Sequence, residues 1–158
     1  MIPVEKWKWH ASWQIVKYEE GASEPYAVVD IDGNCGLHEG INLLFDLLTG
    51  ASAEHFDNAN AEMGVGDEGD TPAAGAQTGL QALVNTYYTG MMTGYPTSGE
   101  FQRVDFRASF PGDQANYAWK ELCVRNKTGG VNLNRLVTDL GAKRAGQIWL
   151  VRLRIELA

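Results

Sequence analysis

The stretch Trp149-Leu150-Val151-Arg152-Leu153-Arg154-Ile155-Glu156-Leu157 sets Trp149, Val151, Leu153, Ile155 and Leu157 against Leu150, Arg152, Arg154 and Glu156. A period of two is the side-chain period of a β-strand with one face buried and the other wet. A strand this apolar is expected to pair inside a sheet, because as a free edge it would recruit other chains. The same period appears upstream. Val104, Phe106, Ala108 and Phe110 alternate with Arg103, Asp105, Arg107 and Ser109. From Trp7 to Tyr18, Trp7, Trp9, Ala11, Trp13 and Ile15 fall on one face and Lys8, His10, Ser12 and Gln14 on the other.

Weaker strand signals fill much of the rest. They cover Tyr26 to Ile31, Ala61 to Gly66, Thr86 to Tyr95 (interrupted by Gly90), Tyr117 to Arg125, and the run Val131, Leu133, Arg135, Val137. Asp32-Gly33-Asn34, Pro96 to Gly99, Pro111-Gly112-Asp113 and Asn126 to Gly130 carry turn chemistry between them. Asp67 to Gln77 reads as a loop, and Thr78 to Val84 as either a helical turn or an edge strand. One segment has a different period. Leu37, Ile41, Leu44, Phe45 and Leu48 recur at helical spacing, and Gly50 follows as a stop.

These elements predict a mainly β fold, a β sandwich or small barrel with one inserted α-helix near residues 37–49. The helix is expected to plug the end or side of the β core. Residues 1–158 are expected to form a single β-rich domain, with residues 1–6 expected as a short N-terminal arm. Phe106, Phe110, Trp119, Val151, Leu153, Leu44 and Phe45 are expected to be buried together. The 18 glycines suit a turn-rich β chain better than a helix bundle.

Composition narrows the function. With 44% hydrophobic and 21% charged residues the chain has enough apolar surface for a core. A formal net charge of −7 argues against a nucleic-acid partner, since phosphate binding needs a cationic surface. The one basic cluster, Lys143-Arg144 with Arg152 and Arg154, reads as charges on solvated strand faces. Cys35 and Cys123 form no metal-type pair and are expected as reduced thiols, Cys35 in a turn and Cys123 in a strand. MIPVEKWKWH does not read as a signal peptide, and no apolar run reaches the length of a membrane span. No membrane partner is expected.

Each chemistry-bearing cluster has a plainer explanation. Asp67-Glu68-Gly69-Asp70 has oxygen ligands around a glycine, but Pro72 to Gly75 add none, so it reads as an acidic turn and not a calcium loop. His10, His38 and His55 are scattered without a zinc spacing. Gly64-Val65-Gly66-Asp67 does not continue into a phosphate-binding pattern. Glu121, an acid inside an apolar strand, is expected in an ion pair with Arg103, Arg107 or Arg135. No catalytic residue, metal or cofactor is expected, and the chain is read as a non-enzyme.

The segments KWHASWQIVKY, GINLLFDLLTG, NANAEMGVGD, TPAAGAQTGL, YYTGMMTGYP, VDFRASFPGDQANYAWKELCVRN and VNLNRLVTDLGAKRAGQIWLVRLRIEL, in this order and spacing, resemble a family of tailed-phage and prophage virion structural proteins of similar length. The resemblance spans nearly the whole chain. It implies a small, decoration-protein-like β component of the phage particle, located in the virion and assembled in the host cytoplasm. Two positions stay open. One is a capsid decoration (cement) protein on the major capsid protein, the other a tail-tip or fibre-attachment protein bound to tail proteins. The absence of coiled-coil heptads and shaft repeats disfavours a fibre shaft.

A homo-oligomer, with a trimer favoured, is expected from the aromatic excess near the N-terminus. Trp7, Trp9 and Trp13 are the candidate interface, because large apolar patches mark protein contacts. A second sheet covering all three is the competing expectation. A carbohydrate-binding module using Trp7, Trp9, Tyr87 and Tyr88 as stacking platforms is a third.

Overall fold

The computed structural model describes residues 7–157, so the arm expected at residues 1–6 lies outside the described residues. Ten strands and one helix follow in the order β1 (Trp9–Glu19), β2 (Ala27–Asp32), β3 (Cys35–Gly36), α1 (His38–Thr49), β4 (Ala61–Gly66), β5 (Thr86–Gly90), β6 (Thr97–Ser98), β7 (Arg103–Phe110), β8 (Glu121–Asn126), β9 (Asn134–Val137) and β10 (Gln147–Leu157). They form two five-stranded antiparallel sheets, β2-β1-β10-β7-β6 and β3-β9-β8-β4-β5. The fold is mainly β, as expected, and the sheets do not close into a barrel.

The deciding stretch behaves as its period requires. Strand β10 is central in the first sheet, paired with β1 on one side and β7 on the other. Trp149, Val151, Leu153 and Ile155 are buried, as are Ala11, Trp13 and Ile15 of β1 and Phe106, Ala108 and Phe110 of β7. Across the sandwich they meet Met63 and Val65 of β4, Leu122 and Val124 of β8 and Leu136 of β9. Phe110, Trp119 and Trp149 stack edge to face, each neighbouring pair of ring centroids 4.7 Å apart, so the polar ring edges meet the π faces. Burial of these aromatics supplies much of the drive to fold.

Strand boundaries differ where glycine or a side-chain demand intervenes. The first strand begins at Trp9, and Trp7 lies before it. β5 stops at Gly90, where Met92 donates its N–H to Arg107 of the opposite sheet, so the chain changes sheets. β8 begins at Glu121, later than the alternation of Tyr117 to Arg125 implied. Residues 78–84 form neither the helical turn nor the edge strand expected. Cys35 lies in a two-residue strand instead of a turn.

The helix carries the main correction. Gly50 ends it in the left-handed conformation (φ 75°), as expected. Its buried residues, however, are Gly40 and Leu43, with Leu37 buried at its start. Leu44 and Phe45, expected in the core, are exposed, and so is Leu48. Glycine explains the orientation. A Cβ on Gly40 would stand 2.6 Å from the backbone oxygen of Asn132, so only glycine lets the helix backbone lie against the chain entering β9. Glu39 accepts a 2.8 Å bond from the Asn132 N–H, and Leu37 donates its N–H to Leu133. Once these contacts fix the helix, its Leu44-Phe45-Leu48 side must face away from the core.

Candidate interface groove

The first sheet's core-facing side is uncovered at one end. Trp9 opens β1 and stands opposite Leu157, the last residue of β10. Directly opposed residues in an antiparallel pair share a face, so both continue the row that buries Trp13 and Leu153 further along. Helix α1 walls this end. Ile41, Leu44, Phe45 and Leu48 face Trp9 and Leu157 across an apolar groove of about 510 Å³. A second cleft of about 690 Å³ shares Trp9, Leu44 and Leu157 and runs on past Phe56, Val104 and Ile155 toward Arg103. Phe45 is 61% and Leu48 81% exposed, and no other described element covers them.

The three predicted interface tryptophans divide. Trp13 is buried in the core, which makes it a packing residue and corrects its place in the candidate interface. Trp9 is half-buried and lines the groove. Trp7 is 64% exposed, ahead of the strand. Leu44 and Phe45, expected in the core, instead form the groove's other wall together with Leu48. A signal for it exists in the sequence: within residues 43–48 every position but Asp46 is apolar, a stripe wider than one core-facing side of a helix can bury.

The tyrosines do not join Trp7 and Trp9 as a platform. Tyr87 meets Phe110 edge to face at 6.3 Å, and the Arg125 guanidinium lies 3.4 Å over the Tyr88 ring. Arg125 is held there by Glu62 at 2.7 Å.

The buried polar groups organise loops. Glu121 and Arg135 are fully buried and meet at 2.7 Å, which selects Arg135 among the three expected partners. The Glu121 carboxylate also accepts the N–H groups of Gln81 and Ala82 at 2.8–3.0 Å. Arg135 donates to the backbone oxygen of Asp70 at 2.7 Å and to Gln77 Oε1 at 3.1 Å. Residues 67–85 are thereby tied to the outer side of the second sheet. The glycines of Gly64-Val65-Gly66 make room for side chains of the neighbouring strands: a Cβ on Gly64 would meet Tyr88 and Cys123, and one on Gly66 would meet Glu121.

Two lysines act as staples. Lys143 is buried and donates to the backbone oxygens of Pro111 and Gln114 and to Asn116 Oδ1 at 2.7–2.9 Å. It therefore does not belong to a solvated basic cluster. Lys17 donates to the Leu140 backbone oxygen and sits 4.0 Å from the Trp149 ring centroid. Loss of hydration on burial lowers both ammonium pKa values.

The acidic turn satisfies itself. Glu68 accepts the N–H groups of Gly69 and Asp70, and Asp67 accepts from Asn85 at 2.6 Å. Among the described residues no three His, Cys, Asp or Glu side chains converge as a metal-binding group. The two cysteines are free, with Cys123 fully buried. No helix among the described residues is long and apolar enough to cross a membrane. No protein family, curated protein or solved structure matches this chain.

Proposed function

We propose that the chain is a structural protein of a tailed-phage particle, a capsid decoration subunit that binds the assembled lattice of the major capsid protein and does no chemistry. The observation that carries this reading is the outward apolar side of α1. Leu44, Phe45 and Leu48 face solvent beside Trp9 and Leu157, and a contiguous surface of this kind costs solubility unless a protein partner covers it. The order and spacing of the sequence motifs support the particle assignment. In this reading the protein acts by mass action. A subunit that binds only the assembled lattice stabilises it by RT ln(1 + [L]/Kd), and an oligomer, with a trimer favoured, gains further from contacting several lattice subunits at once.

The test is addition of purified protein to phage heads assembled without it. Wild-type protein should bind and raise the temperature at which heads release DNA. The variant carrying Phe45→Glu and Leu48→Glu should remain folded and fail to bind. Equal binding by both proteins would show that the groove takes no part in assembly on the lattice, and no binding by either would count against a decoration role.

A further inference from the structure

The same chain carries a second exposed apolar feature, at the other end of the sandwich. Leu83 is 97% and Val84 85% exposed, side by side at the tip of the loop before β5. This tip is not a loose segment. The preceding residues Gln81 and Ala82 donate their N–H groups to the buried Glu121 carboxylate, which Arg135 fixes from the other side. The following residue but one, Thr86, pairs with Gly66, the last residue of β4. Two apolar side chains are thus held out on a braced loop, where no described residue covers them.

The groove lies at the opposite end of that strand. The adjoining cleft, which shares Trp9, Leu44 and Leu157 with the groove, is walled by His55 and Phe56. These lead into Ala61, the first residue of β4, and Asn126, the partner of Ala61, holds the His55 backbone oxygen at 2.8 Å. Tip and groove are therefore separated along β4, a strand of six residues and roughly 20 Å. A braced apolar projection at one end and an apolar groove at the other are the two halves of a heterologous contact, in which one copy's projection enters the next copy's recess.

We infer that the groove takes the Leu83-Val84 tip of a second copy of this chain, so that the protein self-associates head to tail. The inference rests on the reading of the groove as a protein-docking surface, and it names the occupant. It does not depend on the particle assignment. Leu83 and Val84 would meet Phe45, Leu48, Trp9 and Leu157, apolar against apolar on both sides. Such a contact leaves one unsatisfied tip and one unsatisfied groove at each stage of growth, until a ring closes or a particle supplies the missing surface.

Two double variants test it, Leu83→Glu with Val84→Glu at the tip and Phe45→Glu with Leu48→Glu at the groove. All four positions are exposed, so both variants should keep the wild-type circular dichroism and melting profile. Sedimentation velocity is run from about 1 μM to about 1 mM, spanning weak to standard affinities. Wild type should form oligomers and each variant should be monomeric. An equimolar mixture of the two variants should give a one-to-one dimer and nothing larger, because one retains the groove and the other the tip. A mixture that stays monomeric overturns the inference, as does a tip variant that associates like wild type or a wild type that is monomeric throughout. If wild type is monomeric yet still adds to phage heads, the inference fails and the proposed function survives.

Discussion

Glu121 of β8 and Arg135 of β9 are both fully buried, and their 2.7 Å contact is the post to which residues 67–85 are tied. A buried pair of this kind contributes little by comparison with apolar residues of the same volume, but breaking it leaves a charge without compensation. Arg135→Met should therefore cost about 3–5 kcal/mol in a urea titration. It should also speed protease cleavage within residues 67–85. A loss within the error of the titration would mean that the loop is held by other contacts.

The glycine that seats the helix offers a second test. Gly40→Ala improves helix propensity by about 1 kcal/mol in an exposed helix. Here the new methyl would press on the backbone at Asn132 and Leu133, which cannot rotate away. The expected result is a net loss of roughly 1–3 kcal/mol by chemical denaturation. A neutral or stabilising Gly40→Ala would show that the helix can shift outward without loss.

Core and surface separate by truncation. Phe106 is buried between the sheets, and Phe106→Ala should cost about 3–5 kcal/mol. Leu48 is an equally apolar residue on the groove wall, and Leu48→Ala should change stability by no more than about 0.5 kcal/mol. Comparable losses at both positions, read from urea midpoints at constant m-value, would place the helix face in the core after all.

The difference between these two residues marks how far the sequence could be read. Strict alternation reports a strand with one buried face, and at Val151, Leu153, Phe106 and Phe110 the alternation and the burial coincide. Helical spacing is less decisive. Residues 37–48 carry apolar side chains around more than half the helix, and the side that docks is chosen by the glycine at position 40, not by hydrophobicity. Trp13 and Trp9 share one strand face, yet one is core and the other lines the groove, because the second sheet covers only part of that face. The Glu121 hub was legible as an acid needing a partner. The loop that it anchors was not, since the bonds come from backbone N–H groups that any residue could supply.

Titration of the buried thiol gives a pH signature. Burial pushes Cys123 up to about 12, and the Glu121 carboxylate adds in the same direction. A raised folded value favours the neutral thiol in the fold. Its contribution is complete below the unfolded thiol value of about 8.5 and is lost as pH rises from there through about 12. Burial also raises the Tyr88 and Tyr117 phenols, whose contributions are lost above their unfolded value of about 10. Lys17 and Lys143 act in the opposite sense: with their folded values lowered, the penalty on burying them charged is relieved as pH rises. Cys123→Ala should therefore show a shallower alkaline fall in stability than wild type, beginning near the thiol's unfolded value. Parallel alkaline limbs would contradict the shift. In native protein at mildly alkaline pH, a thiol reagent should modify Cys35 well before Cys123.

In the proposed role this β sandwich presents an apolar face to other subunits of a phage particle. That role is tested most directly by counting the chain in purified particles, using quantitative mass spectrometry against the major capsid protein. A lattice-binding role predicts copies on the order of hundreds, in fixed proportion to the capsid protein, because a ligand of the assembled lattice fills its repeated sites by mass action. A few copies per particle would move the protein to the tail, and particles without the chain would contradict the account.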